Sequence, residues 1–480
     1  MIIYDIIIIG AGTAGLACAI TAAERGRKVL IIEKTKRIGG TLHISAGHTS
    51  GGGSRMQQKQ GIDDSPQNHF DDVMRINKGS ADAWMIKMAT DEAPHTLNWL
   101  DDLGMEWAEN SPAFVYGHVP YLTPRTHFGN VMGGSAIFKV LEPVFNQYVE
   151  NGQIELRLNH KLIDLIVENQ CVIGVVASDL SEPVTTDLSV STKQFYAKNT
   201  VLMTGGYAAN PKMFAGKHPN KSRLISTAAP TSQGEGITIA EQHGAVFHNA
   251  EKALSTNGGI ELDPLSNRTD FWQIWAQVSN TVTRRAYELY VDDNGNRFMN
   301  EDETNPDVRE HIVEKLLNRR FWVIFDEKTR KNVPFLFFWI KPEQFLEETK
   351  KEKAMWQADS LSVLAQKTGL PQKTFLETVE RYNSLVYNQH DPDFGRTFLA
   401  NTLVQPPFYA VLTYAINLIS FGGLKVNENL EVLHHNGQPI KGLYAAGEIL
   451  GAGATSGNAF CGGMLITPAL SFGRILGRMV

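Results

Sequence analysis

The chain has 480 residues, of which 20% are charged, and a formal net charge of −6. This length predicts two or more domains, and the mixture of both charge signs gives no indication of nucleic acid or an anionic membrane as a partner. No apolar run reaches the roughly 18 residues of a membrane-spanning helix. The first residues show no basic region and no cleavage site, so we expect no secretory signal. The three cysteines are spaced neither as a disulfide framework nor as a metal site, so we predict a cytoplasmic protein.

The first motif is a dinucleotide-binding turn close to the start of the chain. Ile6–Ile9 form a short apolar run typical of a buried parallel strand. Gly10 and Gly12 allow a tight turn in which the backbone can approach a pyrophosphate, and Gly15 lets the next helix pack closely. The predicted helix over residues 14–25 would direct its positive N-terminus at the phosphates.

A second strand, predicted over residues 28–32, ends at Glu33. An acidic residue about 20 positions after the turn is the partner that a ribose hydroxyl requires. An acidic residue in place of an arginine argues against a ribose 2′-phosphate. Together these features predict a nucleotide site rather than a simple strand-to-helix turn.

Later segments supply more flexible backbone for a large ligand. The loop over residues 38–54 is rich in glycine, serine and threonine, and an apolar strand over residues 199–204 ends in Gly205-Gly206. Residues 442–448 read Gly-Leu-Tyr-Ala-Ala-Gly-Glu and precede a glycine-rich stretch and an apolar helix. We expect this last segment to bring the end of the chain back to the same nucleotide.

The middle of the chain differs from both ends. From about residue 246 to 356 it is rich in asparagine, threonine, tryptophan and arginine and lacks a strand–helix alternation. We predict an α/β fold in which a Rossmann-like nucleotide-binding domain, formed by residues 1–245 and 357–480, carries an inserted α+β capping domain at residues 246–356.

The whole chain resembles the flavoprotein family of fumarate reductases, succinate dehydrogenase flavoprotein subunits and 3-ketosteroid dehydrogenases. The resemblance rests on the two terminal motifs and on the local motifs Gly39-Gly40-Thr41, Thr204–Tyr207, Gly234-Glu235-Gly236, Arg297–Glu301, Pro407–Tyr409, Gly422–Leu424 and Ser471–Arg474. It implies FAD, a mobile cap, and a reaction that makes or removes a C–C double bond beside an electron-withdrawing group.

The resemblance also implies which residues bind FAD. They are Gly10, Gly12, Ala14, Gly15, Glu33, Lys34, Gly40, Thr41, Ser45, Gly47, Thr204, Gly205, Gly206, Glu235, Gly447, Glu448, Met464 and Leu465. We expect non-covalent FAD, because neither His43 nor His48 aligns with the histidine to which some relatives attach the flavin.

Departures from the fumarate reductase pattern indicate a different substrate. The proton-donor arginine and the residues that hold the two carboxylates of fumarate align with Asn305, Ile419, Phe460 and, less securely, Ser255. The relay arginine is retained as Arg284, and Arg309 is near enough in sequence to replace the donor. A buried dianion without those partners is costly, which argues against dicarboxylate reduction.

The segment over residues 460–473 is similar to the end of the ketosteroid dehydrogenases. In that group a glycine amide and a tyrosine polarise the ketone of the substrate. The glycine aligns with Gly463 and the tyrosine with Ala459, so the second donor is absent or comes from elsewhere.

Five tyrosines are candidates for the catalytic base, namely Tyr116, Tyr121, Tyr287, Tyr290 and Tyr414. Tyr287 ranks first because it is close in sequence to Arg284, and a cation favours the phenolate form. Tyr116 and Tyr121 follow, since they occur in a loop with glycine and proline that can line a pocket. A buried or rim tyrosine with a satisfied hydroxyl is the alternative for each.

The expected function is therefore an FAD-dependent dehydrogenase that introduces a C=C bond α,β to a ketone in a small or cyclic substrate. Arg125, Arg284 and Arg285 leave room for one carboxylate, as in a cyclic keto acid. A protein group removes the α-proton and flavin N5 takes the β-hydride. Two alternatives remain open: an ene reductase of the fumarate reductase type, or a flavoprotein subunit that passes electrons to a partner. The external electron acceptor is a quinone, oxygen or a carrier protein.

Overall fold

The computed structural model describes residues 3–131, 133–181, 191–219, 223–270 and 273–480. In these ranges the strands are β1 (Ile3–Ile9), β2 (Val29–Ile32), β3 (Thr49–Ser50), β4 (Thr126–His127), β5 (Ile154–Arg157), β6 (His160–Glu168), β7 (Cys171–Asp179), β8 (Thr192–Leu202), β9 (Phe247–His248), β10 (Thr256–Gly259), β11 (Leu289–Val291), β12 (Arg320–Asp326), β13 (Met355–Ala358), β14 (Phe408–Ile416), β15 (Gly423–Leu424), β16 (Glu431–Leu433) and β17 (Pro439–Ala445).

The α-helices of the same ranges are α1 (Thr13–Glu24), α2 (Arg55–Lys59), α3 (Pro66–Asn77), α4 (Ala83–Asp102), α5 (Ser135–Glu150), α6 (Pro211–Lys217), α7 (Glu235–Gln242), α8 (Pro306–Glu314), α9 (Glu327–Asn332), α10 (Pro342–Lys351), α11 (Leu361–Thr368), α12 (Gln372–Asn388), α13 (Gly453–Ser456) and α14 (Ile466–Met479). Short 3₁₀ turns add Gly40–His43, Leu317–Arg319 and Glu448–Leu450. None of the described helices is both long and apolar enough to cross a membrane.

The first sheet has the strand order β16-β17-β7-β8-β1-β2-β5, and β6 pairs with β7. Strands β1, β2, β5 and β8 run parallel to one another, and β17 runs parallel to β8. The residues Ile6–Ile9 of β1 are buried, as an apolar central strand covered on both faces requires. The predicted parallel strand at this position is therefore confirmed.

Helices from the two ends of the chain pack against each other on this sheet. A Cβ atom built on Gly473 of α14 would lie 2.4 Å from the carbonyl oxygen of Ala14 in α1, and one on Gly477 would lie 2.6 Å from that of Cys18. These glycines allow the two backbones to approach closely. The first and last helices of the chain thus belong to one structural layer.

The second sheet is antiparallel, with the strand order β10-β14-β12-β11 and with β13 paired to β14. Phe375 and Tyr382 of α12 are buried in the apolar core on one of its faces. The predicted fold class, a parallel α/β unit with an inserted α+β unit, is confirmed. The predicted domain bounds place β14 in the first unit, whereas β14 pairs with three strands of the second sheet. We therefore propose that the cap extends from about residue 246 to about residue 417.

Candidate functional site

The carboxyl ends of four parallel strands meet at one edge of the first sheet. Ile9 of β1 lies level with Ile32 of β2 and with Leu202 of β8, which in turn lies level with Ala445 of β17. The residues that follow these strands carry the predicted nucleotide motifs. Ligands of open α/β sheets bind at this edge, so segments from both ends of the chain form one candidate site.

In the turn after β1, Gly10 and Gly15 are closely packed against the backbone, whereas Gly12 is open. A Cβ atom on Gly10, whose φ is +106°, would lie 2.4 Å from the carbonyl oxygen of Met203, and one on Gly15 would lie 1.9 Å from that of Gly10. A Cβ atom on Gly12 would have no neighbour within 4 Å. Helix α1 begins here without a side-chain cap, so its first amides are available to an anion such as a pyrophosphate.

Glu33 reaches this turn from the end of β2. Its carboxylate accepts hydrogen bonds from the amide of Ala11 at 2.9 Å and from that of Thr35 at 2.8 Å. Gly40 also abuts the turn, because its Cβ atom would lie 3.0 Å from Cα of Gly12. Thr41, next to Gly40, is exposed. The carboxylate therefore orders the pyrophosphate turn, and its contact with a ribose stays a prediction.

Two predicted cofactor residues bind each other. Nζ of Lys34 lies 2.8 Å from a carboxylate oxygen of Glu235 and also donates to the carbonyl oxygen of Thr231 at 2.6 Å. This half-buried ion pair joins the end of β2 to the start of α7. It therefore closes one side of the site.

Buried polar atoms without partners surround the same edge. The hydroxyls of Thr204 and Ser45 are buried and accept or donate no hydrogen bond among the described residues. Gly205 has a φ of +74°, and a Cβ atom there would meet nothing within 4 Å. The chain around Ser45 is fixed, since a Cβ atom on Gly47 would lie 2.3 Å from the carbonyl carbon of Gly133. Unpaired hydroxyls beside open glycine backbone are what a bound dinucleotide such as FAD requires.

Glu448 supports the turn after β8. Its carboxylate accepts the amide of Ser420 at 2.9 Å, and the hydroxyl of Ser420 accepts the amide of Tyr207 at 2.6 Å, one residue after Gly206. Burial raises the pKa of Glu448. Ser420 was not among the predicted residues, and no motif signals it. Nearby, a Cβ atom on Gly447 would lie 3.1 Å from Cβ of Ala14.

The start of α14 is held against β3. Gly463 has a φ of +77°, and a Cβ atom there would lie 2.5 Å from the amide nitrogen of Ser50. The hydroxyl of Thr467 accepts that amide at 2.7 Å. Met464 is buried, whereas Leu465 is 36% exposed. The helix has no side-chain cap at its N-terminus, so its first amides can face a cofactor that gathers negative charge.

Tyr121 and Tyr116 lie on the loop in front of this helix and differ in environment. The hydroxyl of Tyr121 donates to the carbonyl oxygen of Gly462 at 2.6 Å, and burial raises the pKa of this tyrosine well above its usual value. Tyr116 is 50% exposed, and its carbonyl oxygen accepts a hydrogen bond from Asn280 of the cap. The structure thus brings Tyr121 to the Gly462–Gly463 turn, while Tyr116 lies at the junction with the cap.

Tyr287 lies inside the cap. The guanidinium carbon of Arg284 is 5.5 Å from the centre of its ring, and the ring of Phe398 meets it edge-on at 5.0 Å. Arg284 is itself 5% exposed and paired with Glu288, with one contact at 3.1 Å. The neighbouring cation expected for Tyr287 is present, and the role of this tyrosine as a base stays a prediction.

Aromatic rings occupy the position that aligns with a carboxylate-binding arginine. His118 stacks on Phe460, with ring centroids 4.9 Å apart and an interplanar angle of 28°. Phe421 meets Phe460 in an edge-on contact at 5.6 Å. Neither phenylalanine was among the predicted site residues, although the replacement of the family's arginine by Phe460 is a signal in the sequence.

Two of the arginines considered for substrate chemistry, Arg125 and Arg309, are engaged with protein groups, whereas Arg285 is exposed and lies over the ring of Phe398. Arg125 is 1% exposed and forms two hydrogen bonds of 3.0 Å with Asp64. Arg309 donates to the carbonyl oxygens of Glu301 at 2.8 Å and Glu303 at 3.2 Å. Asn305, at the donor position, caps α8 by accepting the amide of Asp307. These side chains stabilise the fold and do not form a ready clamp for a dicarboxylate.

Comparisons with known proteins agree with this geometry. The chain is 29% identical over 478 residues to the NADH:fumarate oxidoreductase of Klebsiella pneumoniae (strain 342). The alignment covers 99% of this chain and 47% of that protein. It is 27% identical over 463 residues to the vinyl phenol reductase of Lactiplantibacillus plantarum, covering 92% and 89% of the two chains. The chain thus spans about half of the first relative and most of the second.

Two solved structures share the fold over 99% of this chain. The open conformation of a flavocytochrome c3 fumarate reductase has a TM-score of 0.74 at 24% identity, with 77% of that chain covered. The 3-ketosteroid Δ1-dehydrogenase of Sterolibacterium denitrificans also has a TM-score of 0.74, at 19% identity and with 98% covered. The predicted resemblance to the fumarate reductases and ketosteroid dehydrogenases is therefore confirmed.

The family model described as "FAD binding domain" matches residues 5–465, which include the turn at Gly10–Gly12 and the segment ending at Leu465. The predicted cofactor, FAD, is confirmed by this match. The open glycine turn, the uncapped helix N-termini and the unpaired hydroxyls fit that cofactor. The chain belongs to the FAD binding domain family and is an FAD-dependent oxidoreductase.

Proposed function

We propose that this protein reduces an activated C=C bond in a planar, conjugated substrate that carries at most one carboxylate. The observation that carries the proposal is the stack of His118 on Phe460, 4.9 Å apart, at the position that aligns with a carboxylate-binding arginine. A flat ring surface favours an aromatic or conjugated ligand. It offers no positive charge to a second carboxylate. The substrate is thus not expected to be fumarate.

The charged residues support this choice. Arg125 is satisfied by Asp64 and Arg284 by Glu288, so moving either to a substrate would leave a buried carboxylate unpaired. One relative supports it as well. Vinyl phenol reductase, of which this chain covers 89%, is named for a substrate without a carboxylate.

The roles of the chain's residues follow from the geometry. FAD, when bound, supplies the hydride. The backbone at Gly463 and the N-terminus of α14 present donors to negative charge at the site. Tyr121 orients the Gly462 carbonyl, and Tyr287, next to Arg284, is our first candidate for moving the proton of the reaction.

The reaction needs a donor of electrons that reduces the flavin. The chain spans about half of the NADH:fumarate oxidoreductase, so that relative has other segments in addition to the shared one. We propose that an external carrier, either a small molecule or a protein, reduces the cofactor. A cytoplasmic location stays a prediction.

The reverse direction is the second candidate. The segment over residues 460–473, with Gly463 at its centre, resembles the end of the ketosteroid dehydrogenases, and this favours oxidation of a saturated ketone. The same arrangement of donors at Gly463 would then stabilise the developing enolate. The two directions can be distinguished by the flavin spectrum. An alkene reoxidises the reduced flavin of a reductase, and a saturated ketone bleaches the oxidised flavin of a dehydrogenase.

One anaerobic experiment separates these functions. The FAD-loaded protein is photoreduced and mixed in turn with 4-vinylphenol, acrylate, cyclohex-2-enone and fumarate, and the oxidised flavin band is followed. We expect 4-vinylphenol or cyclohexenone to restore the band much faster than fumarate. Fumarate acting best would contradict the proposal. Bleaching of the oxidised protein by a saturated ketone, with no reoxidation by any alkene, would favour the dehydrogenase.

A further inference from the structure

A cavity of about 310 Å³ lies apart from the site described above. It is formed between the loop after β2, helix α5 and the end of β5. Among the described residues that line it there is no predicted cofactor residue and no candidate catalytic tyrosine. Small-molecule sites occupy about 300–1,000 Å³, so this cavity is large enough for one small ligand.

One segment borders both this cavity and the nucleotide site. A Cβ atom on Gly39 would lie 2.5 Å from Nε2 of His43 and 2.8 Å from Cε2 of Phe138, and both of these rings line the cavity. The amide of Gly39 donates to the carbonyl oxygen of Ala11 at 2.8 Å, and Ala11 belongs to the pyrophosphate turn. Two rings of the cavity wall therefore pack against the segment that holds this turn.

Four of the lining residues have apolar side chains. Ile38 is 8% exposed, and Phe138, Leu156 and Leu158 are half-buried and pack against the main core. The ring of His43 meets that of Phe138 edge-on, with the centroids 4.7 Å apart, and its Nε2 donates to the carbonyl oxygen of Ile38 at 2.8 Å. A ligand that fits this cavity therefore has an apolar body.

The polar lining residues include one cation and one anion. Neither the guanidinium of Arg37 nor the carboxylate of Glu142 forms a hydrogen bond or an ion pair with a described residue. By contrast, Arg157 of the adjoining strand β5 is paired with Glu155 at 2.6 Å. Arg37 is exposed and Glu142 is half-buried, so both charged groups can reach a ligand. Asn146, one turn after Glu142 on α5, adds an amide that can donate or accept.

We propose that this cavity binds a free amino acid with an apolar side chain and that its occupation strengthens the binding of FAD. Arg37 binds the carboxylate of the amino acid, and Glu142 binds its ammonium group. The four apolar residues contact its side chain. The opposite charges at one cavity favour this zwitterion over a ligand with a single charge, and the inference does not depend on the reaction proposed above.

Occupation of the cavity acts on the cofactor through Gly39. A ligand in contact with His43 and Phe138 restricts the two rings that pack against Gly39, and Gly39 is bonded to Ala11 of the pyrophosphate turn. The turn is then better organised for the cofactor. Because the coupling of two binding sites is reciprocal, the amino acid binds more tightly to the FAD-loaded protein than to the apoprotein.

Calorimetric titration of the FAD-loaded protein tests the class of ligand. The probes are L-leucine, 4-methylpentanoate, which lacks the ammonium group, and 3-methylbutylamine, which lacks the carboxylate. We expect L-leucine to bind about threefold to tenfold more tightly than either of the other two, since each of them loses one charged contact. No binding of L-leucine, or 4-methylpentanoate or 3-methylbutylamine bound as tightly as L-leucine, would overturn the assignment.

Two variants test the two charges separately. Arg37→Gln should lower the affinity for L-leucine about threefold to tenfold and leave that for 3-methylbutylamine unchanged. Glu142→Gln should lower the affinity for L-leucine equally and leave that for 4-methylpentanoate unchanged. Lys139→Gln and Glu150→Gln change exposed charges of α5 that do not line the cavity, so they are the matched controls. Losses as large in the controls, or a loss of L-leucine binding in Phe460→Leu, would place the amino acid elsewhere.

Release of the cofactor gives a readout of the coupling. The FAD-loaded protein is diluted with and without saturating L-leucine, and the fluorescence of the released flavin is followed. We expect slower release with L-leucine in the wild type and no such effect in Arg37→Gln. Release that L-leucine does not alter would overturn the coupling. These measurements need no turnover, so a failure of every alkene to reoxidise the reduced protein would contradict the proposed function alone.

Discussion

The ring of His118 lies 4.9 Å from that of Phe460 and is inclined to it by only 28°. Burial lowers the pKa of His118 to about 4, so the imidazole is uncharged at pH 7. It therefore offers an aromatic surface and not a cation. Since Phe460 is two residues before Gly462, the stacked pair lies close along the chain to the start of α14. This pair determines the class of substrate that we propose.

Phe460→Leu should remove the aromatic face and keep most of the apolar volume. We expect the affinity for 4-ethylphenol to fall about threefold to tenfold, because an aromatic pair contributes about 0.5–1.5 kcal/mol beyond its buried area. Titration of the flavin absorbance gives the dissociation constant. Phe338→Leu, which changes a residue that is 58% exposed, serves as control. An affinity equal to that of the wild type would rule out a contact with the substrate.

Glu33→Ala should weaken FAD binding. The carboxylate accepts the amides of Ala11 and Thr35, and we predict that it also binds the ribose, so its loss leaves the turn less ordered. Hydrogen bonds to a charged group contribute about 1.5–3 kcal/mol, which corresponds to a loss of at least about tenfold in affinity. Flavin fluorescence released on dilution measures the effect, with the exposed Glu150→Ala on α5 for comparison. A mutant that stays fully flavinated on dilution would contradict the role.

Tyr287→Phe should keep the fold and the bound FAD but abolish turnover. The substitution preserves the edge-on contact with Phe398 and removes only the hydroxyl of the ring that lies 5.5 Å from the guanidinium carbon of Arg284. Stopped-flow reoxidation of the reduced protein by its best alkene measures the chemical step. Tyr116→Phe and Tyr121→Phe complete the series. Turnover that survives in Tyr287→Phe would exclude this tyrosine and leave the other two.

The nucleotide site could be predicted from the sequence because its signals are local. An apolar run, glycines at fixed spacing and Glu33 each act within a few residues of one turn, and the parallel sheet brings such turns to one edge. The same reasoning predicts Gly447, at the other end of the chain, as a cofactor-binding residue. Lys34 and Glu235 were both predicted, but their ion pair depends on the tertiary fold.

The substrate side could not be predicted to the same extent, since it depends on partners distant in sequence. Arg125 appeared available for a carboxylate, and only the fold brings Asp64 within 3.0 Å of it. The pairing of β14 with the strands of the cap also depends on register between distant segments. Likewise, nothing in the local sequence indicates that Glu310 is only 2% exposed.

Gly463→Ala should destabilise the protein and lower its FAD content. The new Cβ atom would lie 2.5 Å from the amide nitrogen of Ser50, in addition to the strain of a φ of +77°. We expect a loss of about 2–5 kcal/mol in the free energy of unfolding, from left-handed strain and overpacking together. Gly437 also has a positive φ, +82°, but a Cβ atom there would have no neighbour within 4 Å. Gly437→Ala therefore measures the backbone strain without the steric contact. Equal losses in the two variants would show that the contact with Ser50 is unimportant.

The stability of the protein should fall on acidification because of His127. This residue is fully buried, its Nδ1 donates to the carbonyl oxygen of Arg125, and its Nε2 accepts from Ser54, both at 2.9 Å. Burial lowers the pKa of His127 to about 4, below the usual value of about 6.5 in the unfolded chain. Between these values the unfolded chain binds more protons, so the contribution to stability is complete above pH 6.5 and is lost as the pH falls towards 4.

His127→Gln should therefore reduce this pH dependence. Between pH 7 and pH 5 the wild type should lose about 2 kcal/mol of unfolding free energy that the variant does not lose. Urea unfolding at both pH values measures the difference, and His95→Gln, at an exposed position on α4, should behave as the wild type. If His127→Gln loses as much stability as the wild type over this range, other groups govern the acid sensitivity, and His127 is not the buried neutral imidazole that its contacts with Arg125 and Ser54 indicate.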